Sequence, residues 1–118
     1  RRSIYRVVWR GIPDPFMEAL DFPDLGLLTP KRTSSVSSLQ SLALFNNNFV
    51  LHSSQWLSDR AKKEHQNLDS QIRRLIGLLW LRPPNSKEKT LFKTYAQQHG
   101  LSALCRILIN SNEFLFIE

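Results

Sequence analysis

The chain has 118 residues, a formal net charge of +6 and 42% hydrophobic residues. This length accommodates one ordinary domain core but is too short for two. The hydrophobic content excludes a disordered chain. A single cysteine excludes an internal disulfide and a cysteine-rich metal site. No apolar run approaches the roughly 18 residues that cross a bilayer, so no membrane span is expected.

Residues 1–10 alternate basic and apolar side chains, a pattern that fits either a strand or a helix. The length predicts a single helical domain, 1–118, and because the chain opens in this patterned segment without an initiator Met, we expect it to be excised from a larger protein. The basic residues of the N-terminal third would suit an acidic partner, which could be an anionic polysaccharide, nucleic acid or a membrane surface. The interspersed carboxylates weaken this interpretation, because ion pairs within the fold would give the same pattern, and nucleic acid is disfavoured. The candidate polyanion contacts are Arg1, Arg2, Arg6, Arg10, Lys31 and Arg32.

A short helix is predicted over residues 15–20. Asp14 is a good N-cap, and Pro15 suits the first helical position because no backbone donor is missed there. The neighbouring carboxylates form the one cluster dense enough for acid–base catalysis, but capping and ion pairing with nearby arginines explain them better. These carboxylates are Asp14, Glu18, Asp21 and Asp24.

A helical corner is predicted to organise the core of the domain. A short apolar helix runs into three asparagines, and an amphipathic helix follows over residues 49–63. We expect Leu39, Leu42 and Phe45 of the first helix to pack against the second. The predicted apolar face of the second helix is Phe49, Ser53, Trp56, Leu57, Arg60 and Ala61.

Three further helices predict an all-α fold, an irregular bundle of about five short helices with an extended or irregular N-terminal arm. The first repeats apolar residues from Leu68 to Leu79, and the second begins at the capping-box pair Asn85 and Glu88 and ends at Gly100. The buried face of the second is predicted as Leu91, Phe92, Tyr95 and Ala96. The last helix has the clearest apolar stripe, which is Leu101, Leu104, Cys105, Leu108 and Ile109.

The sequence indicates no catalytic, cofactor or metal site. His52, His65 and His99 lie in three separate segments without the spacing of metal ligands. Haem attachment requires Cys-x-x-Cys-His, which the chain lacks. Cys105 lies on an apolar stripe, so we interpret it as a small buried hydrophobe.

Asparagines that follow helices are predicted to bind loose backbone groups. A polar pocket for a sugar beside Trp56 and Phe49 is the alternative, although Trp56 and Trp80 fit buried helical faces. The apolar tail, residues 114–117, is expected to pack on the core or on a neighbouring domain. The asparagines are Asn46, Asn110 and Asn112.

Several short motifs occur in a fixed order along the chain. They include Arg2-Ser3-Ile4-Tyr5-Arg6, Pro15-Phe16-Met17-Glu18, Asp21-Phe22-Pro23-Asp24, the corner from Ser38 to Asn46, Leu81-Arg82-Pro83-Pro84 and the ending from Asn110 to Leu115. The set resembles the C-terminal domain of unknown function of large planctomycete multidomain proteins, which often carry a cytochrome-c-like domain. Its structural positions are Leu39, Gln40, Leu42, Asn46, Asn110, Asn112 and Phe114.

The resemblance implies a periplasmic or secreted parent, other domains of that parent as partners, and any haem bound by another domain. Two features depart from the family pattern. Asn47 and Asn48 stand where an aspartate and a proline are usual, so we expect a looser turn at the corner. Residues 27–29 supply no cysteine before the paired basic residues.

The sequence therefore favours a non-catalytic helical module of a secreted multidomain protein, which packs on neighbouring domains or a partner. An accessory part of a carbohydrate-processing or redox enzyme is the alternative. A polyanion-binding module that uses the basic N-terminal residues is a weaker alternative.

Overall fold

A computed structural model of the chain describes residues 12, 14–23 and 37–116. About 77% of these residues are helical and none of them lies in a strand, which confirms the predicted all-α class. The predicted N-terminal arm lies outside the described residues. The described helices are α1 (Pro15–Ala19), α2 (Ser38–Asn46), α3 (Asn48–Glu64), α4 (Leu68–Leu79), α5 (Ser86–His99), α6 (Leu101–Ile109) and α7 (Asn112–Leu115).

Five of these helices have at least nine residues, in agreement with the predicted number. None of the helices in the described ranges is both long and apolar enough to cross a bilayer. The chain forms two compact units, residues 1–43 and 44–118. A single domain over the whole chain stays a prediction.

Polar side chains organise the described part of the first unit. Asp14 caps α1 as predicted, because its Oδ1 accepts the backbone N–H groups of Phe16 and Met17 at 3.1 and 3.0 Å. At the other end of α1, Asp21 Oδ2 accepts a hydrogen bond from Gln40 Nε2 at 2.6 Å. Asp14 and Asp21 are therefore engaged in capping and hydrogen bonding, the structural role preferred for them, while Asp24 lies outside the described residues.

Helix α2 begins with a reciprocal capping pair. The Ser37 Oγ accepts the N–H of Gln40 at 3.2 Å, and the Gln40 Oε1 accepts the N–H of Ser37 at 3.4 Å. Only Asn47 separates α2 from α3, and its side chain caps α3 by accepting the Phe49 N–H at 2.8 Å. The junction is a one-residue break that Asn47 caps, and the looser turn expected from the family pattern stays a prediction.

Helix α6 lies at the centre of the second unit, where α3, α4, α5 and α7 all contact it. Its predicted apolar stripe is confirmed at four positions, since Leu101, Leu104, Cys105 and Leu108 are buried, while Ile109 is half-buried. Burying this stripe supplies much of the hydrophobic free energy that holds the helices together. The partners from α4 are Ile72, Leu75 and Ile76, which are also almost fully buried.

The corner does not organise the core, and that prediction is wrong. Leu39 is 62% exposed, and Leu42 and Phe45 are also exposed. The buried face of α3 is rotated about the helix axis relative to the predicted face, and Trp56 is 61% exposed as a result. The buried face carries small residues, which let the backbones of α3 and α6 approach closely. This face consists of Val50, Ser54, Ser58 and Ala61.

The predicted face of α5 is only partly correct. Ala96 is buried, and Phe92 and Tyr95 pack on the core, but Leu91 is exposed. Trp80, at the end of α4, also packs on the core, and its ring meets that of Phe92 edge-on at a centroid distance of 5.8 Å. The helix that Asn85 begins and Gly100 ends is confirmed, with a φ of 86° at Gly100.

Ser58 provides a test of the packing of α3. Its hydroxyl is fully buried without a hydrogen-bond partner, whereas the Ser54 hydroxyl donates to the Val50 carbonyl at 2.8 Å. Ser58→Ala removes an unsatisfied polar group, so we expect the free energy of unfolding to stay level or rise by about 1 kcal/mol. Ser58→Leu overpacks the interface and should lower it by about 1–3 kcal/mol.

Urea denaturation measures both effects, and Ser54→Ala is the matched control. That variant loses a buried hydrogen bond and should be destabilised by about 1 kcal/mol. Equal destabilisation by Ser58→Ala and Ser54→Ala would contradict the account of the Ser58 environment.

Candidate functional site

The six predicted polyanion contacts, Arg1, Arg2, Arg6, Arg10, Lys31 and Arg32, lie outside the described residues. Two of the predicted structural positions, Asn46 and Asn110, contact Arg106, and a second arginine that sequence reasoning did not select, Arg82, forms another polar cluster. Arg82 lies in the Leu81-Arg82-Pro83-Pro84 motif, and the other follows Cys105 on α6.

Arg82 joins two helices of the second unit through a double ion pair. Its Nη1 and Nη2 donate to the two carboxylate oxygens of Glu88 at 2.9 and 2.7 Å. Its Nε and Nη2 donate to the two oxygens of Glu113 at 2.5 and 2.9 Å. The planar guanidinium therefore binds both carboxylates in bidentate fashion, a geometry that lysine cannot reproduce.

The electrostatic consequences are strongest at Glu88. The Arg82 guanidinium and the backbone N–H of Asn85, which donates at 2.7 Å, lower the pKa of the Glu88 carboxyl from 4.5 to about 2. The same two carboxylates raise the pKa of Arg82. The Glu88 carboxylate thus takes part both in the predicted capping box and in the ion pair with Arg82.

Trp80 and Ser111 add a second link between the same segments. The Trp80 Nε1 donates to Ser111 Oγ at 2.8 Å, and the Ser111 hydroxyl donates in turn to the Leu108 carbonyl at 2.6 Å. The Arg82 guanidinium carbon lies 4.9 Å from the centroid of the Trp80 ring, a cation–π distance. Together these contacts fix the start of α7 against the connection between α4 and α5.

Exposed apolar side chains flank the residues of the Arg82 cluster along the chain. Leu81 is 86% exposed and has a φ of 57°, a left-handed conformation that costs free energy for a branched side chain. Phe116 is 60% exposed, and its neighbours in the tail are also exposed. Arg82 and Glu113 form a salt bridge. Because Leu81 precedes Arg82 and the tail follows Glu113, the two chain segments that carry these apolar residues lie near each other. We call Leu81, Phe114, Leu115 and Phe116 the C-terminal apolar patch.

Arg106 joins the end of α2 to the outer face of α6. Its Nε donates to the Phe45 carbonyl at 2.6 Å and its Nη2 donates to Asn46 Oδ1 at 2.9 Å. The guanidinium carbon also lies 4.0 Å from the centroid of the Phe45 ring. The last residues of the corner are therefore held by one cation rather than by apolar packing.

The predicted asparagines have different roles. Asn110 Nδ2 donates to the Arg106 carbonyl at 2.8 Å, which confirms the prediction that it binds a loose backbone group. Asn46 Oδ1 accepts from the Arg106 side chain, and its predicted contact with a backbone group stays a prediction. Asn112 is the first residue of α7 and its carbonyl accepts the Phe116 N–H at 2.9 Å.

The remaining candidate groups do not assemble into a reactive site. Burial raises the pKa of the Cys105 thiol to about 12, which makes the nucleophilic thiolate scarce at neutral pH. Among the described residues, no three side chains of the metal-binding types come together. Beside Trp56, the guanidinium of Arg60 lies 5.6 Å from the ring centroid and also pairs with Glu64 at 2.8 Å.

Comparison with known proteins agrees with the resemblance at the level of a domain of unknown function. The chain belongs to the PSD1 family, described as "Protein of unknown function (DUF1553)", whose model matches residues 1–96. Searches of the curated proteins and of the solved structures found no match. The match covers the corner, Arg82 and Glu88, whereas Arg106 and Glu113 lie beyond it.

The Arg82 cluster predicts a specific acid sensitivity. Because the pKa of Glu88 is lowered in the folded state, its stabilising contribution is present above about pH 4.5 and disappears as the pH falls toward about 2. We expect Glu88→Gln to flatten this part of the pH profile of unfolding. Urea midpoints at several pH values between 7 and 2 measure the effect.

Arg82→Gln supplies the control for that experiment. In the Arg82→Gln background, Glu88→Gln should change the acid limb of the profile much less, because the main cause of the lowered pKa has been removed. An unchanged effect of Glu88→Gln in both backgrounds would contradict the assignment.

Arg106→Lys tests the second cluster. Lysine keeps the charge but loses the paired donors and the planar contact with Phe45, so the free energy of unfolding should fall by about 1 kcal/mol. Amide hydrogen exchange should speed up locally in the last turn of α2, while the α4 amides keep their relative protection. Unchanged exchange near Asn46 would show that Arg106 does not hold the corner.

Proposed function

We propose that the chain is a non-catalytic helical interaction module that docks on other domains of a larger protein through the C-terminal apolar patch. The observation that carries this proposal is the exposure of Leu81 and Phe116 beside an ion-pair cluster that fixes their segments. Exposed large apolar side chains grouped in this way are typical of interaction sites. The fixed backbone lowers the entropy that docking would cost.

Leu81 gives the proposal a further argument. A leucine in the left-handed region costs conformational free energy. Because the Leu81 side chain is 86% exposed, almost no hydrophobic burial offsets that cost. Asparagine would adopt the same backbone more readily. Contact of the leucine side chain with another domain would offset both costs.

The resemblance to planctomycete multidomain proteins supports a finer proposal. We infer that the parent is exported and carries a separate cytochrome-c-like domain, and that this chain itself binds no haem. The Arg82 cluster supports a structural role for its charged groups, because Arg82 forms salt bridges with both Glu88 and Glu113. Docking, rather than chemistry, is then the contribution of the module.

The test is association with the remainder of the parent, produced as a separate polypeptide. We expect a measurable complex in calorimetry, weakened at least tenfold by Leu81→Asn combined with Phe116→Ser, since buried apolar anchors dominate such interfaces. Thermal unfolding should show that this variant remains folded. Leu91→Ser, which alters an exposed leucine on α5, is the matched control and should bind normally.

Two results would overturn the proposal. One is a complex that forms equally well with the patch variant and with the unaltered chain. The other is the absence of any complex between the unaltered chain and the remainder of its parent.

A further inference from the structure

Six cationic side chains of the second unit have no carboxylate partner within the part of the chain that the structure describes. Residues 44–116 contain ten lysines and arginines but only five carboxylates. Four of the carboxylates form salt bridges, and Asp59 accepts from Gln55 Nε2 at 3.1 Å. Arg106 has no salt bridge but contacts Phe45 and Asn46. The five other cations without a salt bridge are Lys62, Lys63, Arg73, Lys87 and Lys89.

Two of these five have an ordinary structural explanation. Lys62 and Lys63 lie in the last turn of α3, where the helix macrodipole favours positive charge. Lys87 and Lys89 lie at the beginning of α5, where the same effect disfavours positive charge. Helix stability therefore does not account for the lysines of α5.

The lysines flank a strip of hydroxyl groups on the exposed face of α5. At 100° per residue, Ser86 and Thr90 lie between Lys87 on one flank and Lys89 on the other. The Thr90 hydroxyl donates to the Ser86 carbonyl at 3.2 Å, and the Thr94 hydroxyl donates to the Thr90 carbonyl at 3.0 Å. Their oxygens keep lone pairs that can accept hydrogen bonds from a ligand.

Arg73 extends the positive charge onto α4. Lys93 of α5 pairs with Asp69 of α4 at 2.8 Å, which joins the two helices at that level. Arg73 lies one turn after Asp69 on the same side of α4, and Lys89 lies one turn before Lys93 on the same side of α5. Both cations therefore lie between this salt bridge and the connection from α4 to α5.

This face of α5 is shallow and open to solvent, so a ligand can reach the hydroxyl strip along its length. Ser86, Lys87, Thr90, Leu91 and Thr94 line an open depression along α5. A linear anionic polysaccharide would place its acidic groups at the flanking cations and its hydroxyl groups at the threonine oxygens. Single-stranded nucleic acid fits less well, because it requires aromatic platforms for its bases and no aromatic side chain lines the depression.

We propose that Arg73, Lys87, Lys89 and the hydroxyl strip of α5 form a binding surface for a linear acidic polysaccharide. This surface is separate from the C-terminal apolar patch, and it differs from the N-terminal basic residues predicted from the sequence. It carries no catalytic groups, so it retains a polysaccharide without cleaving it.

Affinity measurements with polygalacturonate, heparin, dextran and single-stranded DNA test the proposal. We expect binding to polygalacturonate or heparin that weakens with added salt, no binding to neutral dextran, and weaker binding to DNA of equal charge. Whether the carboxylated or the sulfated chain binds more tightly identifies the acidic group that the surface prefers.

A matched pair of variants locates the site. Lys87→Gln with Lys89→Gln should weaken binding about tenfold, as expected for the loss of two exposed ion pairs, and Arg73→Gln should weaken it further. Lys62→Gln with Lys63→Gln removes the same charge from α3 and should change affinity by less than about twofold. Because the α5 lysines oppose the macrodipole, their replacement should not lower the melting temperature.

Several outcomes would overturn the inference. These are the absence of binding to both acidic polysaccharides at low salt, an equal loss of affinity in the α3 and α5 variants, undiminished affinity in the α5 variant, and DNA binding as tight as polysaccharide binding. Leu81→Asn with Phe116→Ser should leave polysaccharide affinity unchanged, so this test can fail independently of the docking proposal.

Discussion

The burial of one side of α6 is the interaction on which the second unit depends. Leu104, Cys105 and Leu108 are completely inaccessible to water, and four other helices contact this nine-residue helix. A helix this short is marginal by itself in water, so its stability comes from the packing of its apolar stripe. The other helices of the unit must therefore be arranged so that this apolar stripe stays buried.

Arginines on the surface of that core then fix the segments that apolar packing does not hold. Arg106 binds the end of α2, whose apolar side chains are mostly exposed, and Arg82 binds the start of α7. In both cases a guanidinium also lies over an aromatic ring, at Phe45 and Trp80. Arg82 and Arg106 thus attach peripheral segments to a core of apolar side chains.

This division explains how far the sequence could predict the structure. Caps such as Asp14 and Asn85, and the stripe of α6, depend on local backbone chemistry and helical periodicity, so they are visible in the sequence. The face that α3 buries depends on how closely another helix approaches, and Ser54 and Ser58 were overlooked because they are small and polar. Large side chains such as Trp56 suggested a different face.

The proposed binding surfaces were harder to predict, because they consist of side chains that remain without partners after folding. The pairing of Arg82 with Glu113 spans 31 residues, and nothing in the local pattern indicates it. Lys87 and Lys89 can be recognised as charges without an ion-pair partner only after each carboxylate of the described residues has been assigned to its own partner. The same reasoning applies to Leu81, whose exposure and backbone conformation both cost stability. Side chains that are unfavourable for the fold, in positions held rigid by it, are the best guide to what this module binds.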